Sequence, residues 1–266
     1  MSRVRGVLSL VVLSLPFVAV PSAVAEPVPA RPAIFRDNIW HLRDTLTSGF
    51  ADTSFRYGSS SDDFAFLGDW NDDAIKTPGV RRGNVWHLRN SNSTGFADVT
   101  FGYGSSSDFP IIGDWDGDGS DTIGIVRIKF GFIIEECNGA QLEWHLRNAN
   151  STGPADEVFV FGCLGLPLSG DWDGSGSDTP AVRPVGGVEW TLNNGFDDTP
   201  ELVFSFGSLA DFPIVGDWDG DQHESVGVVR GNRWFLKNEN ADGVADSSFL
   251  YGGADDLPLI WGDASV

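Results

Sequence analysis

One segment recurs along this chain, and few architectures accommodate such a recurrence. Residues 83–127, GNVWHLRNSNSTGFADVTFGYGSSSDFPIIGDWDGDGSDTIGIVR, align with the rest of the sequence at a spacing of about 46 residues. Each copy carries two tryptophans. The first opens a WHLR-like stretch at Trp40, Trp86, Trp144, Trp190 and Trp234. The second closes GDW at Trp70, Trp115, Trp172 and Trp218, with Trp261 displaced by one residue in IWGD. These are all 10 tryptophans of the chain, so the repeats number five. Within a repeat, apolar residues alternate with polar ones in four short runs separated by Gly, Asn, Asp and Ser. A period of two with such breaks predicts strands, and no segment shows a helical period. Four strands per repeat, repeated, predict an all-β fold of propeller blades.

The two ends of the repeat array are complementary. Residues 32–36 match 78–82, the last strand type of the repeat, whereas residues 257–263 match 109–114, the strand type just before it. One blade is therefore expected to combine both termini, closing five four-stranded antiparallel blades over residues 32–266 into a ring with no open edge. An open solenoid would need polar capping repeats, and none is visible.

The stretch YG…FPIIGDWDGDGSDTIGIV resembles the FG-GAP or VCBS-type repeat of integrin α-subunits and many bacterial extracellular proteins, over nearly all of residues 32–263. The resemblance implies that FPIIGDW is the innermost strand, that the Asp-rich loop joins it to the second strand, and that YGSSSD crosses to the next blade. It also implies an extracellular binding or adhesion module. Two features depart from the pattern. Such propellers typically have seven blades, whereas five is the number of tachylectin-like lectins. The acid found at the ninth loop position in that family stands here at the eighth.

Calcium takes six to eight oxygens at about 2.3 to 2.6 Å, and alternate side chains of a tight D-x-D-x-D-G loop can supply them. Asp114, Asp116, Asp118 and Gly119 fit, with Ser120 as a carbonyl donor and Asp121 as the added acid. Asp171, Asp173, Ser175 and Asp178 fit with one hydroxyl in place of a carboxylate. Asp217, Asp219, Asp221 and Glu224 keep four acids, but Gln222 replaces the glycine. In the loop of Asp69, Asn71, Asp73 and Ala74, Lys76 brings an ammonium where an acid belongs. One to three calcium sites are expected. The competing reading is turn chemistry alone, because Asp and Gly also suit hairpins and the first Asp can cap its own backbone.

The start of the chain reads as an export leader. Arg3 and Arg5 precede an apolar run at 7–20, too short to span a bilayer, and Ala23-Val24-Ala25 offers small residues for cleavage. The mature chain is expected from about Glu26, with 26–31 extended, secreted and without membrane insertion. The chain has 17 basic and 38 acidic residues; losing Arg3 and Arg5 takes its net charge from −21 to −23. Such a surface repels phosphate backbones, so nucleic acid is excluded as a partner. Cys137 precedes the strand opening at Glu143, and Cys163 follows the strand ending at Gly162. Those strands should be antiparallel neighbours, so a disulfide between the two cysteines is expected.

His41, His87 and His145 recur in WHLR, and a residue copied between blades more often packs or bonds than catalyses. His223, inside an Asp-rich loop, is read as an exposed bystander. No G-x-S-x-G, H-E-x-x-H or P-loop pattern occurs, so no catalysis is expected. Ten tryptophans at two fixed positions are expected to fill the gaps between blades rather than to stack on sugars. A lectin would instead use the variable loops, residues 90–98 and 105–108 and their equivalents. The partner is expected to be an extracellular glycan or protein and the chain a monomer. A hydrolase sited in the channel and a purely structural domain are the remaining alternatives.

Overall fold

The structure, a computed structural model, describes residues 29–59, 64–130, 137 and 140–262. The expected leader lies outside the described residues. The first blade begins with β1 (Arg31–Arg36), β2 (Ile39–Leu42) and β3 (Thr53–Arg56). Blade 2 is β4 (Phe64–Gly68), β5 (Thr77–Arg82), β6 (Val85–Leu88) and β7 (Val99–Gly102). Blade 3 is β8 (Phe109–Gly113), β9 (Thr122–Phe130), β10 (Ala140–Leu146) and β11 (Glu157–Cys163). Blade 4 is β12 (Gly165–Gly170), β13 (Thr179–Pro184), β14 (Glu189–Leu192) and β15 (Leu202–Ser205). Blade 5 is β16 (Phe212–Gly216), β17 (Ser225–Arg230), β18 (Arg233–Leu236) and β19 (Ser247–Leu250). The last strand, β20 (Leu257–Trp261), returns to blade 1, whose order is β20-β1-β2-β3.

Closure is therefore made by main-chain pairing of the two ends. Strand β20 runs antiparallel to β1, with Ala33 opposite Leu259 and Phe35 opposite Leu257. The strands β4, β8, β12, β16 and β20 are each first in their sheet and touch one another in sequence around the axis. They are the FPIIGDW-type strands, so the Asp-rich hairpins all emerge at one end of the ring. The loops that cross to the next blade lie at the other end. Among the described residues no helix is long and apolar enough to cross a membrane.

The tryptophans explain why the repeat keeps its spacing. Trp40, Trp86, Trp144 and Trp190 are fully buried and Trp234 nearly so. Each indole Nε1 donates to a carbonyl at the exit of its own outermost strand: Trp40 to Tyr57, Trp86 to Tyr103, Trp144 to Phe161, Trp190 to Phe206 and Trp234 to Tyr251, at 3.0–3.2 Å. One side chain thus fills the space between blades and ties the third strand to the fourth. Trp70, Trp172 and Trp218 hold their hairpins shut by donating to Thr77, Thr179 and Ser225. Trp261, out of step by one residue, bonds instead to the carbonyl of Arg43.

Blade 3 carries the main irregularity. Strands β9 and β10 extend beyond the expected bounds at Arg127 and Glu143, because the intervening insertion continues their ladder from Arg127↔Glu143 out to Phe130↔Ala140. Cys137 beyond that ladder is bonded to Cys163, with Cα atoms 5.0 Å apart.

Candidate metal centre

Four hairpins share one backbone design. The first aspartate of each turns back into its own loop and accepts N–H bonds from the fifth and sixth residues. Asp114 accepts from Gly117 and Asp118 on Oδ1 (2.8 and 3.2 Å) and from Gly119 on Oδ2 (2.8 Å). Asp217 does the same with Gly220, Asp221 and Gln222. Asp171 takes Ser175 and Gly176, and Asp69 takes Asp73 and Ala74. The Asp69 hairpin has this cradle despite Lys76, so the first aspartate shapes the turn whether or not a cation is held. The sixth residue must be left-handed, with φ 90° at Gly119 and 88° at Gly176. Ala74 and Gln222 adopt φ 61° and 71° there, which costs on the order of 1–2 kcal/mol each.

What separates the hairpins is what surrounds the cradle. Carboxylate oxygens of Asp114, Asp116 and Asp118 lie within 4.8 Å of one another, as do those of Asp217, Asp219 and Asp221. Ligands on opposite sides of a calcium ion are about 5 Å apart, so each trio fits the shell of one cation. In both trios the first aspartate is buried and the other two are exposed, an open cup over a fixed base. The Asp171 hairpin brings two carboxylates together, with Ser175 donating its N–H to Asp173. In the Asp69 hairpin, Asn71 donates its amide to Asp73 (3.0 Å), closing the cup with a neutral group.

The acids at the eighth position are turned elsewhere. Asp121 reaches the preceding blade, where its carboxylate accepts the N–H of Asp69 (2.7 Å) while its own N–H donates to the Asp69 carbonyl (2.6 Å). Asp178 grips Asp114 in the same two-point way (3.0 and 2.6 Å), and Glu224 grips Asp171 (3.2 and 2.8 Å). Ala30, the equivalent residue ahead of β1, contributes only the N–H bond, to Asp217 (2.6 Å). These acids therefore clasp neighbouring blades together at the hairpin end of the ring. Sequence reasoning had grouped them with their own loops; their shift from the ninth place to the eighth was the available signal of another role. The clasps also explain the glycine of GDW. A Cβ on Gly113 or Gly170 would stand 2.7 Å from Asp178 or 2.6 Å from Glu224, and 2.8 Å from its own hairpin's tryptophan.

Burial pushes the Asp114 carboxyl above its ordinary range against three stabilising N–H bonds, with the charge of Asp121 adding to the rise. Asp171 is raised for the same leading reason. Asp178 is raised further, by burial and then by the charge of Asp121 beside it. Carboxylates held in this way lower their energy when a cation joins them. His223 is exposed beside Asp221.

The recurring histidines serve the blades. His41 bonds to Ser54 (2.8 Å) and His87 to Thr100 (3.4 Å) on the adjacent strand, and His145 pairs with Glu143 (3.2 Å). The fold and hairpins define the class as a five-bladed β-propeller with acid-lined hairpins at one end. Compared with protein-family models, curated proteins and solved structures, the chain matches none.

Proposed function

We propose that this chain is a secreted, non-catalytic propeller of the FG-GAP or VCBS type that binds calcium in its Asp-rich hairpins and serves as an extracellular binding or adhesion module. The carrying observation is the pair of carboxylate trios, each within 4.8 Å and each set on a buried, N–H-cradled aspartate. The leader-like start, the cystine and the strongly acidic composition support export. The Asp114 hairpin is the tightest site, since it combines its trio with glycine at the left-handed sixth position. The Asp171 and Asp217 hairpins are weaker, and the Asp69 hairpin binds nothing. Ligand count and loop rigidity set this order.

Isothermal titration of the mature protein with calcium, paired with melting curves in excess chelator, tests the reading. At free calcium 100 times the dissociation constant, each site should add about 2.7 kcal/mol to stability. Asp116→Ala should remove the tightest site while leaving the melting curve in chelator almost unchanged. Neither heat nor a melting shift would reduce these loops to ordinary turns.

A further inference from the structure

The outermost strands of four blades are clipped by a loop of the blade that follows. At one register, opposite the residue before the first tryptophan, each donates its N–H to a side chain of that loop. Arg56 of β3 donates to Thr94 (3.2 Å), Gly102 of β7 to Thr152 (3.3 Å), Ser205 of β15 to Asp242 (2.7 Å) and Leu250 of β19 to Ser48 (2.9 Å). Three junctions have a second tie, a tyrosine hydroxyl on a carbonyl of the next blade: Tyr57 on His87, Tyr103 on His145 and Tyr251 on His41. Between blades 3 and 4 neither tie is present among the described residues. Val160 holds the clipped place on β11, opposite Glu143, and Phe161 holds the tyrosine's. The cause is local. The blade 4 loop closes onto Leu192 one residue sooner than the other loops close onto their leucines, and its Phe196 turns onto Phe159 of β11 (ring centroids 5.5 Å).

A strand edge left in this way is a template for another strand. Strand β11 is the longest of the outermost strands, with seven residues against four in β3, β7, β15 and β19. N–H and C=O groups alternate sides along a strand, so those of Val158 share the outward side with those of Val160. Val158 is itself 55% exposed. The strand is also held in shape. Phe159 stacks on Trp144 (5.9 Å), and Cys163 at its end is bonded to Cys137. An extended segment laid along β11 would gain main-chain bonds without the strand having to order first.

We propose that the edge of β11 at Val158 and Val160 is a docking site for an extended segment of another protein, apolar in its middle and basic at its ends, which joins blade 3 as a fifth strand. This rests on the binding-module reading, for which it names a peptide ligand, and needs no calcium. Charge selects the occupant. Glu157 opens the strand, and Asp197, Asp198 and Glu201 are exposed on the blade 4 loop that Phe196 brings against it. The described ion pairs leave all four acids unmatched, since Arg147 is taken by Asp156 and Lys129 by Glu143. A second copy of this chain would bring the same acids and a net charge of −21 to the edge, so like charges oppose self-pairing. Val158 and Val160 in turn favour apolar side chains opposite them.

The test titrates the full mature chain with the blocked heptapeptide KVTVTVK, followed by fluorescence anisotropy and by amide exchange in NMR. One peptide per chain should bind, equally in calcium and in excess chelator, and the Val158 and Val160 amides should become protected only in the complex. EVTVTVE should bind about tenfold more weakly, and KVPPPVK, which lacks the central N–H groups, should not bind. Val160→Pro removes an outward N–H where an edge strand accepts proline, and should weaken KVTVTVK about tenfold with melting unchanged. Val158→Lys sets a like charge against the probe at an exposed position and should weaken it to a similar degree. Val203→Lys, at the same register of β15, whose edge Asp242 clips, should change nothing. The inference is overturned if KVTVTVK does not bind at millimolar concentration, if KVPPPVK binds as well as it does, or if both β11 variants bind like the parent. A dimer of the peptide-free chain that Val160→Pro dissolves would give the edge to a second copy and overturn the choice of partner. Calcium titrated alone judges the metal reading separately, so failure of one is distinguishable from failure of the other.

Discussion

At the crossing-loop end of the ring, Asp108, Asp211 and Asp256 are each met by an arginine of the following blade: Arg127, Arg230 and Arg36. At the hairpin end, Asp114, Asp171 and Asp178 are more deeply withdrawn from water, and they meet backbone N–H groups and other carboxylates. Burial alone would raise all six. At the first end the arginine bonds, together with N–H groups of Ser105, Ser208 and Gly253, outweigh burial and hold the carboxyls below their ordinary range. At the second end nothing does so, and they sit above it. One end is electrostatically complete and the other has room for a cation, although both derive from the same repeat. The crossing from blade 3 to blade 4 sharpens the contrast. It has Pro184 in the arginine's place, and there the cystine Cys137–Cys163 stands at the exit of β11.

The largest effect should come from breaking the ring that both ends share. Deleting residues 256–266 removes β20 and Asp256 together, strips blade 1 of its innermost strand and exposes the edge of β1. The truncated protein should lose its cooperative thermal transition by circular dichroism; melting like the parent would refute closure by the two ends. Second in size is the cystine. Cys137→Ser with Cys163→Ser opens a loop spanning 26 positions of sequence separation, worth about 3.5 kcal/mol in the chain-entropy model. Denaturant unfolding measures this directly, and the loss should be the same with or without calcium, because the cystine lies at the complete end.

Arg127→Met then tests completeness itself. It leaves Asp108, 7% exposed, without its bidentate partner, and should cost about 2 kcal/mol at neutral pH. The sign with pH follows from the lowered carboxyl. Its contribution is present above the ordinary carboxylate range and is lost as pH falls through the folded value. The difference between parent and variant should therefore shrink below about pH 4. A difference that persists at pH 2 would mean that the arginine acts by packing its stem.

Much of this organisation was legible in the sequence because the repeat multiplies weak signals. A single WHLR run is an ambiguous strand, but Trp40, Trp86, Trp144, Trp190 and Trp234 at one register define a blade position that is buried in every copy. Complementary ends gave the closure of β1 on β20, and strand adjacency gave the cystine. Beyond the acids' shift to the eighth place the clasps were not legible, because Asp121, Asp178 and Glu224 look like the tail of their own hairpins. Their partners are backbone groups 52 to 64 residues away, which carry no residue-type signature. The tyrosine bonds between blades were missed for a related reason. Pairing Tyr251 with His41 requires comparing the end of one repeat with the start of another, across the ring.

The smallest effect is the most discriminating, because its sign should reverse. Asp118→Asn removes one carboxylate from the Asp114 trio while keeping a side chain that can still accept the N–H of Ser120. In excess chelator the charge it removes only repels its neighbours, so the variant should be more stable than the parent by a few tenths of a kcal/mol. In saturating calcium the same charge is a ligand, and the variant should be less stable and bind more weakly. Acidification offers an independent check on the calcium-free protein. Asp114 and Asp171 are raised by burial, so their protonated forms favour the folded state, and that contribution fades as pH rises through their folded values. Stability in chelator should thus increase as pH falls through the folded values of Asp114 and Asp171, until the stabilisation by the arginine-paired carboxyls of the other end, whose folded values are lowered, is lost at lower pH. Calcium should flatten that rise by holding the same groups ionised. Were Asp118→Asn destabilising in chelator as well as in calcium, the exposed carboxylate would be shaping the turn through Ser120, and the hairpin end would be as complete without a cation as the end that carries the arginines.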